Sequence, residues 1–182
     1  MSLSWLPNTL TIARCLLAGW VGWLILTLPT QSIWPFVAFV IVAASDFLDG
    51  WAARRFDAIT PFGAFLDPIA DKLLVGISLI AITLLQDRAW LILIPTVAII
   101  ARDVIATVIR LFPKVEMPVS QLAKWKTALE MIAIGCLLLA GPLLLPLIFS
   151  AGIILAWGAA ALSVYTLGLY VGALLVNEKR PR

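Results

Sequence analysis

Six runs of apolar residues, at roughly 7–28, 33–53, 64–86, 89–111, 121–141 and 143–176, fill the sequence and leave only short breaks between them. Each run is long enough to cross the ~30 Å hydrocarbon core of a bilayer as a helix. With 63% hydrophobic and 13% charged side chains and a mean hydropathy of +1.07, the chain is far more apolar than a soluble domain. The breaks read "LPTQS" at 28–32, "FDAITPFG" at 56–63, "QDR" at 86–88, "FPKVEMPVSQ" at 112–121 and "AGP" at 140–142, and Pro or Gly marks most of them. The sequence therefore predicts an all-α integral membrane protein, one domain over residues 1–182, with six transmembrane helices preceded by a short interfacial N-terminal segment, Met1 to Arg14. No Lys or Arg precedes Arg14 and no small-residue cleavage site follows the first apolar run, so this segment does not read as a removable signal peptide.

Of the 13 Lys and Arg residues, only Arg88 falls on one side of this topology. The others lie in the second and fourth connections, in the C-terminal tail and at the span ends that flank them. That asymmetry and an even number of spans put both termini in the cytoplasm. The chain has no histidine, which excludes imidazole bases, imidazole metal ligands and any Ser-His or Cys-His nucleophile. Cys15 and Cys136 lie in apolar runs with no ligand spacing and read as small hydrophobes.

Against this background the stretch "SDFLDGWAARRFDAITPFGAFLDPIADK", Ser45 to Lys72, carries Asp46, Asp49, Asp67 and Asp71. At 3.6 residues per turn the first pair is about 60° apart on one helix and the second about 40° apart on the next, so each pair shares a face. The connection at 56–63 turns the chain between them, and the two pairs can face each other at the cytoplasmic boundary. Four carboxylates converging at the edge of hydrocarbon repel and are costly to desolvate unless a multivalent cation holds them. Oxygen donors without sulfur or imidazole suit Mg²⁺ or Mn²⁺, with Ca²⁺ also satisfying the set, and four can hold two ions. Gly50 and Ala53 leave the backbone uncovered where a flat base or sugar would approach, Arg54 offers a donor fork suited to phosphate, and Gly63 keeps the same cleft open.

Written as a pattern this is D-x2-D-G-x2-A-R-x8-G-x3-D-x3-D, which resembles the signature of the CDP-alcohol phosphatidyltransferases at every specified position. The resemblance implies a six-span membrane enzyme that moves a phosphatidyl group from CDP-diacylglycerol to an alcohol and releases CMP, working as a homodimer with two Mg²⁺ or Mn²⁺ ions per subunit. It implies Asp46, Asp49, Asp67 and Asp71 as ligands, Asp71 also as the base, and Gly50, Ala53, Arg54 and Gly63 around CDP-diacylglycerol. Lys72 would offset charge there or reach a phosphate, and Asn8 fits the family's N-terminal element.

Within the family, "LPNTLTIAR" at 6–14, "IARDVIATVIR" at 100–110 and "LAKWKTALEM" at 122–131 are most similar to the bacterial phosphatidylglycerophosphate synthases. Their acceptor is sn-glycerol 3-phosphate, which gives Arg102, Arg110, Lys124 and Lys126 a purpose as a pocket for a dianion. The chain departs from that group at Ala123, where glycine is common, and at Glu130, where glutamine is usual. Arg102-Asp103-Val104 also resembles the CDP-diacylglycerol-dependent cardiolipin synthases, whose acceptor is phosphatidylglycerol; Lys126 favours the first reading. The expected partners are the two substrates, membrane lipids and a second copy of the chain, with no nucleic acid, and the expected location is the inner (cytoplasmic) membrane with the active site facing the cytoplasm.

Two other readings compete. Intramembrane ion pairs of these aspartates with Arg54, Arg55 and Lys72 leave the glycines and the fixed intervals unexplained. A cation carrier would place its acids at the midplane among interrupted helices. Gly168-x-x-x-Gly172 permits close helix approach within the chain, and Trp5, Trp34, Trp51 and Trp90 near span ends read as an interfacial belt.

Overall fold

A computed structural model describes the backbone of residues 5–55, 61–86, 90–110 and 121–178, and within them the side chains of 12–45, 72–86, 90–109, 125–169 and 172. Six helices follow in order: α1 Trp5–Thr27, α2 Trp34–Arg55, α3 Pro61–Leu84, α4 Trp90–Arg110, α5 Gln121–Leu143 and α6 Pro146–Glu178. No strand occurs among the described residues. The interfacial lead-in is helical from Trp5 and runs without interruption into the first span.

Trp90–Ile109, Trp125–Leu143 and Pro146–Leu169 are each long and apolar enough to cross a membrane. The described apolar parts of the first three helices, Ile12–Thr27, Trp34–Ser45 and Lys72–Leu84, are shorter. The surface agrees with a lipid solvent: Leu147 and Ile154 are 80% and 70% exposed, while Arg102, Lys126 and Glu130 are buried. A water-soluble protein distributes these groups the other way.

Inside, α5 packs along α6, α1 against α3, and α4 against α6, around Val21, Leu79, Ile99, Ile134 and Ala159. Lipid tails are as apolar as leucine, so helices associate through close contact and small residues. Gly152 does this for α5 and α6, since a Cβ there would lie 2.8 Å from Leu137 Cγ. Gly168 and Gly172 do not: a Cβ at either meets nothing within 4 Å among the described residues.

The break expected at 140–142 lies farther along. Gly141 and Pro142 are inside α5, and the turn comes at Leu144, which adopts φ 52°. There the Leu145 N–H donates to the Ala140 carbonyl at 3.3 Å and the Leu144 N–H to the Gly141 carbonyl at 3.1 Å, the pair of bonds that closes a helix in a Schellman cap. Pro146 then opens α6 at a position where its missing donor costs nothing. Gly141 serves packing instead of chain reversal, because any Cβ there would overlap the Thr30 carbonyl in the turn between α1 and α2.

Proline inside α4 has a different remedy. Pro95 has no N–H to give the Leu91 carbonyl, and in hydrocarbon that oxygen has no water to replace it. The Trp157 indole N–H, from α6, donates to it at 3.0 Å. Trp157→Phe should therefore destabilise the protein by about 1–3 kcal/mol in detergent unfolding. In a Pro95→Ala background, where the helix supplies its own donor, the same change should cost much less; equal costs in both backgrounds would contradict the account.

Candidate functional site

Successive helices run in opposite directions, so α2 ends and α3 begins at the end of the bundle where α4 finishes and α5 starts. Contacts among α3, α4 and α5 fix this end, because Lys72, Asp103 and Lys126 meet there. The backbone of Asp46, Asp49, Gly50, Ala53 and Arg54 lies in the second half of α2, and that of Gly63, Asp67 and Asp71 in the first turns of α3. Their side chains lie outside the described residues, as do those of Asn8, Arg110 and Lys124. Among the described residues no group of three or more Asp, Glu or Cys could hold a metal, and the four aspartates are not in that set. As donors, four carboxylates in a chain without histidine fit a hard divalent cation.

Lys72, Arg102 and Lys126 are the candidate residues with described side chains, and the structure brings them to one residue. Asp103 Oδ1 accepts from Arg102 Nη1 at 3.0 Å and from Lys126 Nζ at 2.5 Å. Its backbone carbonyl accepts from Lys72 Nζ at 2.9 Å and from the Thr107 hydroxyl at 2.8 Å, and Thr107 Oγ1 accepts from Lys72 in turn. Glu130, one turn along α5, completes the group with its Oε1 3.1 Å from Lys126 Nζ.

These are interior groups: Arg102, Asp103, Lys126 and Glu130 are 6%, 8%, 3% and 3% exposed. Charges at such burial persist only when paired, and removing one partner of a buried pair is far costlier than removing both. Among the described residues the cluster brings three cations to two carboxylates. Paired in this way, the groups can stand in a low-dielectric interior.

Asp103 and Glu130 carried no role in the sequence reading. Half of the signal was there, since Lys126 and Glu130 are spaced to share a helix face. The other half, from α4 to α5, spans 23 residues and no local rule reaches it. A cavity of about 530 Å³ opens at the opposite end, where Ile25, Thr30, Gln86, Gly141 and Phe149 line it. Among the described residues its wall has neither carboxylate nor cation.

The cluster makes an ordering of stabilities. Asp103→Leu removes a carboxylate from both Arg102 and Lys126 at once and should cost about 3–5 kcal/mol. Glu130→Leu leaves Lys126 on Asp103 and should cost about 1–3 kcal/mol. Unfolding midpoints in detergent that reverse this order would contradict the geometry.

The comparison with known proteins falls on the same span. A family model described as CDP-alcohol phosphatidyltransferase matches residues 4–165. The chain is 36% identical over 187 residues to a rice protein named "Cardiolipin synthase (CMP-forming)", covering 91% of the chain but only 56% of that longer protein. It is 39% identical over 172 residues to the "CDP-diacylglycerol--glycerol-3-phosphate 3-phosphatidyltransferase" of Rickettsia bellii, covering 88% of the chain and 90% of that protein. With the protein of the same name from Haemophilus influenzae it shares 36% identity over 184 residues, 94% of the chain and 96% of that protein. Carrying the acidic signature in full and matched through most of its length, the chain belongs to the CDP-alcohol phosphatidyltransferase family.

Proposed function

We propose that this multi-pass membrane protein is a CDP-diacylglycerol–glycerol-3-phosphate 3-phosphatidyltransferase. It transfers the phosphatidyl group of CDP-diacylglycerol to sn-glycerol 3-phosphate, giving phosphatidylglycerophosphate and CMP. The observation that carries the acceptor assignment is the buried cluster around Asp103, which holds Arg102 and Lys126 together in the interior as charged donors of the kind a phosphate-bearing acceptor requires. The Rickettsia and Haemophilus relatives, matched over nearly their full lengths, bear the name of this activity.

In this reaction the acceptor hydroxyl attacks the phosphatidyl phosphorus, the bond from that phosphorus to the CMP oxygen breaks, and Asp71 takes the hydroxyl proton. Asn8, Gly50, Ala53, Arg54, Gly63 and Lys72 bind and orient CDP-diacylglycerol. Arg102, Arg110, Lys124 and Lys126 hold the acceptor phosphate. The family is in general metal-dependent. Asp46, Asp49, Asp67 and Asp71 would hold two Mg²⁺ or Mn²⁺ ions per subunit, which would supply electrostatic stabilisation of the charge that develops on the departing CMP. The excess of cations on one side supports an inner-membrane enzyme with its active site and both termini in the cytoplasm, and the family resemblance supports a homodimer.

A second reading takes phosphatidylglycerol as acceptor and cardiolipin as product. The rice relative's name and the Arg102-Asp103-Val104 segment favour it. The match to that relative covers little more than half of its length, whereas the glycerol-3-phosphate enzymes are covered almost entirely.

Chelation with EDTA and the single change Asp49→Ala should each abolish CMP release from CDP-diacylglycerol, with the variant still inserted and folded. Near-normal turnover in either case would end the metal assignment. Asp71→Asn keeps the size and part of the ligand character but cannot accept the proton, so turnover should fall by about 10²–10⁴ with CDP-diacylglycerol binding largely retained. Loss of nucleotide binding that excess metal restores, with turnover, would reduce Asp71 to a ligand.

A further inference from the structure

We propose that Asp103 is a positioning residue for the acceptor: its carboxylate aims Lys126, with Arg102, at the acceptor's phosphate and sets how tightly that phosphate is held. This rests on the acceptor reading above and assigns a role to a residue outside the acidic signature.

A lysine ammonium on its four-carbon stem is a mobile point charge, and fixing it costs up to about 2 kcal/mol of rotamer entropy. In this chain the cost is met before any ligand arrives. Lys126 Nζ gives one of its three N–H groups to Asp103 Oδ1 and has Glu130 Oε1 at 3.1 Å. Flanked by a carboxylate on its own helix and another on α4, the ammonium is held at the junction of α4 and α5 with donor capacity left for a third anion.

Asp103 extends the same control to two more helix segments. Its second cation, Arg102 Nη1, lies at 3.0 Å, and its backbone carbonyl holds Lys72 Nζ of α3 at 2.9 Å. Cations from three helices are thus referred to a single residue. Lys72 lies next to Asp71 in sequence, so the contact also ties the acceptor cations to the helix that carries the proposed base. A cluster serving packing alone would also pair these charges, but its loss would weaken both substrates together. A positioning role predicts a loss confined to the acceptor.

The test is steady-state kinetics of purified wild type, Asp103→Asn, Lys126→Gln and the double variant, with CDP-diacylglycerol and glycerol 3-phosphate varied separately. Asn keeps the shape and one acceptor oxygen of Asp103 and removes the charge, which avoids leaving a hole in the bundle. Asp103→Asn should raise KM for glycerol 3-phosphate about tenfold, the equivalent of about 1.4 kcal/mol. KM for CDP-diacylglycerol should stay within about twofold of wild type. Because Asp103 acts largely through Lys126, the double variant should be much less impaired than the product of the two single effects. An unchanged acceptor KM in Asp103→Asn, equal rises for both substrates, or multiplying effects in the double variant would overturn the proposal while leaving the acceptor assignment standing. Wild-type enzyme that ignores glycerol 3-phosphate would overturn the acceptor assignment and this proposal with it.

Discussion

Asp103 accepts hydrogen bonds from Lys126 of α5 and Arg102 of α4 through its carboxylate and from Lys72 of α3 through its carbonyl, all within a bundle whose outer surface is apolar. Each cation would be expensive in that setting by itself, and the carboxylate would be as well. Together with Glu130 they form a paired cluster that hydrocarbon tolerates, and it stands at the end of the bundle where α2 gives way to α3. The same rule, that nothing polar in the membrane goes unmatched, governs the backbone. Pro95 removes one donor from α4, and Trp157 of α6 supplies another to the same carbonyl.

Much of this could be read directly from the sequence because the bilayer enforces simple patterns. Helix number and order follow from apolar run length, and the boundaries at Trp34, Trp90 and Gln121 fall within a residue of expectation. The acidic signature is equally direct, since eight residues at fixed intervals identify the family before any coordinate is considered. What escaped the sequence is cross-helix information. Gly141 and Pro142 look like a turn, but Gly141 is needed where α5 meets the Thr30 carbonyl, and the turn is made instead by Leu144 in a left-handed conformation that leucine seldom adopts. The Trp157 bond to Leu91 joins residues 66 positions apart and leaves no periodic trace. For the same reason Asp103 could be seen beside Arg102 but not beneath Lys126.

The two halves of the proposed site rest on different physical grounds. For CDP-diacylglycerol the grounds are the aspartates and the small residues between them, whose helical backbone is described at the ends of α2 and α3. For the acceptor they are side chains seen in contact. Those contacts change the picture of the proposed acceptor pocket, since Arg102 and Lys126 are not loose cations but parts of a group already paired with carboxylates. A site of that kind gives up some electrostatic attraction and gains pre-organisation, so that an arriving phosphate does not have to order Lys126 itself.

The claim most exposed to experiment is the identity of the acceptor. Purified protein in lipid or detergent should be given CDP-diacylglycerol, a divalent cation, and glycerol 3-phosphate and phosphatidylglycerol together, with the lipid products resolved by mass. The account predicts phosphatidylglycerophosphate, formed in step with CMP. Cardiolipin as the product, or CMP released with no phosphatidylglycerophosphate, would contradict it.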